Sequence, residues 1–533
     1  MTSVLRTRPP KRPARGSAVN RDPDVVAAFL EDAAHFPGGH AEGLIVATSE
    51  ADVAAAVTSN RAVLPIGAQS SLTGGATPMG ETVLTTSRLN RIEAIGDDWV
   101  RVQAGVALAE LDAALASAGK YYPPAPTFMG AFVGGIVATN AAGAATFKYG
   151  TTRDWVRALT VVLPNGDVLD VARGATRTAG AFEIAARDRT ITIPIPSYRM
   201  PDVPKCSAGY FAAPEMDLID LFIGSEGTLG IVTEVTLRVL PTRPAHCLAF
   251  APFTDRRTAM SVVRNLRRAA RTTWRTNDPN GLDISAIEHM DARCLALLRE
   301  DGIDRLQGVP IPAAAAMALL VTLELPPDTD AARAYDEIGR ARDSFAPDTP
   351  LVRLCRAFDR AGVLDEVEIA VPGDHARAAQ LLAVREAVPA AVNARVGRAK
   401  HSVDPRIAKT AADLIVPVDR FEDLLALYDE EFQRRRLDAA VWGHISDGNV
   451  HPNVIPRSIA DVEAGEEAIL ALGREVIRMR GSPLAEHGVG RHPVKQQLLR
   501  ELHGDDGIEA MRAVKRAIDP EWKLSPGVIF PAR

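Results

Sequence analysis

The chain has 533 residues, more than one compact core accommodates, so two or three domains are expected. Hydrophobic residues make up 47% and the net charge is −6, a globular composition that removes any general electrostatic case for nucleic-acid binding. The four cysteines, Cys206, Cys247, Cys294 and Cys355, lie too far apart for a metal cluster or a disulfide framework and fit a reducing, cytoplasmic setting; no apolar run is long enough to cross a bilayer.

Residues 1–41 read as a basic N-terminal arm with no acid before Asp22. Pro9, Pro10 and Pro13 oppose the amphipathic helix of a transit peptide, and a disordered arm is expected. Residues 42–245 are rich in glycine and in short apolar runs, among them AVLPIG (62–67), WVRVQAG (99–105), LTVVLPNGDVLDV (159–171) and GIVTEVTLRVLP (230–241). In the last, Ile231, Thr233, Val235, Leu237 and Val239 alternate with polar or opposite-facing residues, the period of a half-buried strand. Asn165-Gly166 between two apolar runs predicts a hairpin, and ALAELDAALASAG (107–119) predicts a helix stopped by Gly119. Pro241 and Pro244 suggest a boundary, after which residues 246–440 alternate long helices with strands such as AMALLVTLEL (316–325). A Gly- and His-rich segment, 441–533, closes the chain.

Neither GxGxxG after an early strand nor GxxxxGK[ST] is present, which argues against a Rossmann site or a P-loop. Instead LPIGAQSSLTGG (64–75) follows a β-like run, and its small residues can present consecutive backbone N–H groups to a pyrophosphate. A second glycine-rich stretch, PPAPTFMGAFVGGIVATNAAGAATFKYG (123–150), would let backbone approach a flat ligand, and a third, IGSEGTLGIVTE (223–234), is a tight turn entering a strand. In GHISDGNVHPN (443–453), Asp447-Gly448-Asn449 is a turn that folds His444 towards His451. With Glu486 of EHGVG (486–490), these make a three-ligand set that leaves coordination positions open and suits a catalytic divalent metal.

Taken in this order, together with PSYRMPDVPKCSAGYF (196–211) and LIDLFIGSEGTLGIVTEVTLRVLP (218–241), the glycine-rich stretches resemble the FAD-linked oxidases of the vanillyl-alcohol oxidase and p-cresol methylhydroxylase (PCMH) superfamily. Within it the pattern is similar to D-lactate dehydrogenase and glycolate oxidase subunits, that is, to D-2-hydroxy-acid dehydrogenases, from about residue 42 to 530. The resemblance implies an α+β fold: a two-part PCMH-type FAD-binding domain (42–245), an α/β cap for substrate (246–440) and a C-terminal metal and catalytic segment (441–533) that returns to the flavin. It implies FAD held by Pro65, Gly67, Ala68, Gln69, Ser70, Ser71 and Thr73 at the pyrophosphate. Thr127, Gly134, Gly135, Ala138, Asn140 and Ile231 would line the adenosine and flavin. It implies His444, His451 and Glu486 as ligands of a metal, Zn²⁺ in the first place and Mn²⁺ or Fe²⁺ otherwise, with His487 as catalytic base and Asn453 touching substrate.

Arg385 of AVREAVPAAVN (383–393) aligns with an arginine that grips substrate carboxylate in similar enzymes; a structural pairing with Glu386 or another acid stays open. Lys409 is a weaker candidate, and His246, His289 and His401 have no motif around them. Gln69 and Ser70 replace a usual Gly-Thr, Cys206 replaces a usual Asn, and Ser446 a common Gly.

The implied activity is oxidation of a small 2-hydroxy acid (D-lactate, glycolate or D-2-hydroxyglutarate class) to the 2-oxo acid, by hydride transfer to flavin with metal-assisted deprotonation. The implied partner is an unidentified electron acceptor: a quinone, a cytochrome, an electron-transfer flavoprotein or O₂. A homodimer is compatible with this reading, and so is a peripheral place at a membrane through that acceptor. Two alternatives stay open. A phenol or alcohol oxidase leaves the two histidines and Glu486 unexplained, and a non-catalytic flavin electron-transfer subunit has no use for them. The ether-lipid synthase branch is similar in the FAD domain, but its His-rich motif is not evident.

Overall fold

The computed structural model describes residues 4–11, 18–124, 128–176, 178 and 180–531. The chain forms two compact units, one of residues 1–143, 150–241 and 482–533, the other of residues 144–149 and 242–481. The segment read as 441–533 therefore divides, its first part belonging to the second unit and its last 52 residues to the first.

Among the described residues the first unit has four sheets, two of which build its core. Gly43–Val46, Thr82–Thr85 and Val63–Ile66 form a parallel three-stranded sheet with Thr82–Thr85 in the middle. Ile92–Ile95, Trp99–Gln103, Ile231–Arg238, Val156–Val162 and Val168–Ala172 form an antiparallel five-stranded one. Both contribute to one core, in which Ile45, Val63 and Leu84 meet Val162, Val168 and Ile231. The alternation of Ile231–Arg238 is realised: Ile231, Thr233, Val235 and Leu237 are all buried. The Asn165-Gly166 turn joins Val156–Val162 to Val168–Ala172 as a hairpin, with Gly166 at φ +79°. Residues 107–119 form the helix Leu108–Ser117, and Gly119 follows at φ +68°. The C-terminal residues of this unit return to its first sheet, where Leu524 bridges Val63.

Part of the N-terminal segment departs from the expected disordered arm. Leu5–Arg6 pairs in parallel with Ala181–Ala185, and Arg8 makes a bidentate ion pair with Glu50 at 2.8 Å and a second with Asp170. Proline and charge density favour an unfolded arm locally, but an open strand edge and two acids supply the backbone partners and counter-charges that the segment lacks by itself.

The second unit is a single antiparallel sheet. Its strands run Glu368–Ala370, Ala245–Phe253, Met317–Leu325, Ile284–Asp291, Ala439–His444, Asn449–Val454 and Thr410–Ala411, with Leu414–Ile415 also on Asn449–Val454. Helices Ala292–Glu300 and His375–Ser402 cover one face, where Leu297, Leu298, Val384, Val388 and Val392 pack with Phe250, Met290, Leu320 and Trp442. Pro389 lies inside His375–Ser402. Having no N–H, it cannot donate to the carbonyl of Arg385, so the helix loses a hydrogen bond at that turn. Residues 144–149 join this unit through a polar pin: Lys148 Nζ reaches Asp283 at 2.6 Å and Glu324 at 2.5 Å, and the Tyr149 hydroxyl donates to Glu324 at 2.6 Å.

Candidate active site

In the first unit the loop after Val63–Ile66 turns sharply, with Gln69 at φ +50° and Gly74 at φ +74°. The Gln69 side chain pins the turn by donating to the carbonyls of Phe29 and Ala76, both at 3.0 Å, and Thr73 is held by the Ser71 hydroxyl. The backbone N–H groups of Ala68, Gln69, Ser70, Ser71 and Leu72 donate to no described residue. A bend carrying that many unengaged donors suits a pyrophosphate.

The second stretch forms the helix Val133–Ala138, whose Gly134 sits so close to Ala104 that an added Cβ would lie 2.7 Å from its Cβ. Gly135 has nothing within 4 Å on its Cβ side, and the Cβ position of Gly67 lies 3.9 Å from the Gly135 Cα. The first loop thus lies against the start of this helix, beside the Phe132 side chain, with Gly135 leaving open space, and these residues fit FAD. Other predicted contacts have structural partners. Asn140, at φ +49°, accepts from the Arg153 N–H at 2.9 Å, the Ala138 carbonyl accepts from the Glu226 N–H at 2.7 Å, and Ile231 is a core residue. Pro65 packs against Gly227, and the Thr73 carbonyl accepts from the Arg491 N–H at 2.9 Å. Thr127 lies outside the described residues.

The EHGVG loop belongs to the same unit. Glu486 is buried and accepts from Lys205 Nζ at 2.8 Å, across 281 residues of chain. Its other oxygen lies 3.5 Å from His487 Nε2, and the His487 ring is partly exposed. Half-buried Glu226 accepts from the N–H groups of Val489 and Gly490, each at 2.8 Å. Burial of its carboxyl raises its pKa to about 7, although both N–H groups favour the charged form.

In the second unit, strand register sets the side chains. His444 opposes Asn449 and Glu288, and Trp442 opposes His451, so these side chains and Asn453 share one face of the sheet. The turn between the two histidines closes at Gly448, whose φ of +86° and approach to the Val416 carbonyl leave no room for a Cβ. The two rings meet edge to face with centroids 5.7 Å apart.

Each imidazole has a buried carboxylate at its Nδ1: Glu288 at 3.3 Å from His444, and Asp413 at 3.3 Å from His451. Asp413 also accepts from Asn449 Nδ2 at 3.0 Å. A carboxylate beside each imidazole is the arrangement that orients metal-binding histidines. Asn453 Nδ2 donates to the His451 carbonyl at 2.9 Å, while the Oδ1 atoms of Asn449 and Asn453 are buried without a partner among the described residues, as acceptors awaiting a ligand are. The two histidines fit a divalent cation.

Arg385 is nearly buried, and its Nε and Nη2 donate to Glu288 at 3.2 and 3.1 Å. It therefore pairs with an acid, one from the sheet and not Glu386; Nη1 has no partner among the described residues. Arg385 and His444 together hold the Glu288 carboxyl down at about 2 against the opposing effect of its burial. Glu288, Asp413 and Lys205 escaped the sequence reading, since no local motif marks them. His289 is a core residue, and burial lowers its pKa to about 3. Burial also lowers the pKa of the Lys409 amine.

With this geometry in place the comparisons are specific. A family model described as the C-terminal domain of FAD linked oxidases matches residues 254–529, and an FAD binding domain matches residues 41–172. The chain belongs to the FAD-linked oxidases. It is an FAD-dependent oxidoreductase by that membership.

This FAD-linked oxidase is 31% identical to a D-2-hydroxyglutarate dehydrogenase of Xanthomonas citri pv. viticola, over 88% of this chain and 84% of that one. It is 28% identical to the glycolate oxidase subunit GlcD of Bacillus subtilis, over 88% and 83%. It is also 28% identical to a D-lactate dehydrogenase of Anaerostipes hadrus, over 98% and 95%. Among solved structures it is similar in fold to an alkyldihydroxyacetonephosphate synthase, with a TM-score of 0.59 at 14% identity, covering 98% of this chain and 88% of that one. Among the described residues, no helix is long and apolar enough to cross a membrane.

Proposed function

We propose that the protein oxidises a small 2-hydroxy acid of the D-lactate, glycolate or D-2-hydroxyglutarate class to the 2-oxo acid, and that His444, His451 and Glu486 hold a divalent metal, Zn²⁺ first and Mn²⁺ or Fe²⁺ next. The observation that carries this reading is the pair of buried imidazoles, each with a carboxylate beside it, on the sheet face whose Glu288 is met by Arg385 of the helix His375–Ser402. A phenol oxidase needs no such pair. The relatives' names supply the substrate class.

In this proposal Arg385 offers Nη1 to the substrate carboxylate while Glu288 fixes its remaining edge, and Asn453 offers Oδ1 to the substrate. His487 accepts the proton of the 2-hydroxyl group. A divalent metal there supplies Lewis acidity that lowers the hydroxyl pKa. FAD supplies the two-electron sink that takes the α-hydrogen as hydride. Pro65, Gly67, Ala68, Gln69, Ser70, Ser71 and Thr73 contribute backbone to the pyrophosphate cradle. Gly134, Gly135, Ala138, Asn140 and Ile231 form the remaining wall.

The test is metal analysis of the purified protein together with anaerobic mixing against D- and L-2-hydroxy acids. Stoichiometric metal and bleaching by one enantiomeric series are expected. A metal-free protein bleached only by phenols or simple alcohols refutes the proposal.

A further inference from the structure

Glu226 lies in the tight turn before Ile231–Arg238, and the proposed chemistry makes no use of it. Its two carboxylate oxygens are divided between two successive backbone donors, Oε1 taking the Val489 N–H and Oε2 the Gly490 N–H, each at 2.8 Å. Those donors lie two and three residues beyond His487, in a loop that contains Gly488 and Gly490 at φ +77° and +60°. Two glycines give such a loop wide backbone freedom. A Cβ on Gly488 would stand 2.9 Å from Oε1, so the chain can close around the carboxylate only as glycine.

The backbone of Glu226 faces the other way. Its N–H donates to the Ala138 carbonyl at 2.7 Å, in the glycine-rich helix of the flavin cradle, and the Cβ position of Gly75 in the first loop lies 3.5 Å from Oε2. One residue therefore ties the backbone beside His487 to the glycine-rich helix and stands next to the first loop. We infer that Glu226 is a positioning residue, a clamp that sets where His487 stands relative to the flavin cradle.

The chemistry explains the residue type. A carboxylate is acceptor-only and can serve two parallel N–H groups, whereas a carboxamide serves one and turns its own N–H₂ against the other. The inference rests on the assignment of His487 as base, and its test is chosen to fail separately from that assignment.

Purified Glu226→Gln and Glu226→Ala proteins are compared with wild type in FAD content, in deuterium uptake of peptides spanning residues 486–492, and in anaerobic flavin reduction by the active hydroxy acid. Glu226→Gln should retain FAD and exchange the Val489 and Gly490 amides about tenfold faster, the effect of one lost charge-assisted bond. Its reduction rate should fall about tenfold with KM unchanged, and Glu226→Ala should fall further on both measures. Wild-type exchange in Glu226→Ala overturns the clamp. Wild-type reduction in that protein overturns the positioning role, and loss of FAD in parallel with activity makes Glu226 a brace of the cradle instead. Should no hydroxy acid bleach the wild type, the functional reading falls, and amide exchange alone decides whether Glu226 holds the loop.

Discussion

Removing the charge at Glu288 is the most informative single perturbation of the second unit. One oxygen, Oε2, stands 3.1 and 3.2 Å from two nitrogens of Arg385 and 3.3 Å from His444 Nδ1. The Arg385 guanidinium and His444 hold its pKa at about 2, against 4.5 for an unperturbed glutamate, despite its burial. Breaking a buried pair costs roughly 3–5 kcal/mol, and the residual exposure of both side chains puts this pair at the lower end, about 3 kcal/mol.

The sign follows from a depressed pKa. The stabilisation is fully present above pH 4.5 and is lost as pH falls through about 2. Glu288→Gln keeps an oxygen but leaves the Arg385 guanidinium buried without a counter-charge. At pH 7 it should lower the melting temperature by about 6–12 °C, taking about 2–4 °C per kcal/mol for a unit of this size. The assay is thermal unfolding of wild type and Glu288→Gln at pH 7 and again near pH 3, where the gap should narrow. A Glu288→Gln protein melting within about 2 °C of wild type at pH 7 refutes the reasoning, and so does a gap that widens in acid.

Arg385→Ala should raise KM for the acid by about 10- to 150-fold, the range of a buried charge-assisted contact, while FAD content stays at the wild-type level; steady-state kinetics with flavin quantification checks this, and an unchanged KM leaves Arg385 only its Glu288 partner. His444→Ala and His451→Ala should each lose metal and activity together, whereas His487→Ala should keep metal and FAD and lose about 10²- to 10⁴-fold in flavin reduction. Metal analysis and anaerobic reduction on the same samples decide this, and loss of metal from His487→Ala would make it a ligand. Lys205→Met should destabilise the metal-free protein by about 3–5 kcal/mol, because buried Glu486 then loses its ammonium counter-charge, and added Zn²⁺ should recover part of the loss in a thermal-shift assay. Equal destabilisation with and without metal would separate Glu486 from the metal site.

Much of this protein is legible in the sequence because the signals are local. A period of two marks Ile231–Arg238, Asn165-Gly166 marks a hairpin, and the Asp447-Gly448 turn implies that His444 and His451 fold together, as they do at 5.7 Å between ring centroids. Small residues in 64–75 and 123–150 foretell a surface that backbone alone can offer. Each of these follows from steric and periodic rules acting within about ten residues.

Tertiary structure decided what surrounds those motifs. Glu288 meets Arg385 across 97 residues, Lys205 meets Glu486 across 281, and Glu226 reaches Val489 across 263. Nothing in the sequence beside any of these acids names its distant partner. The hexapeptide 144–149 likewise gives no local sign that Lys148 and Tyr149 pin it to the second unit through Glu324. The physical reason is that a carboxylate's role depends on its desolvation and its counter-charge. Both are set by sheet register and loop closure between distant segments, which a one-dimensional pattern does not contain.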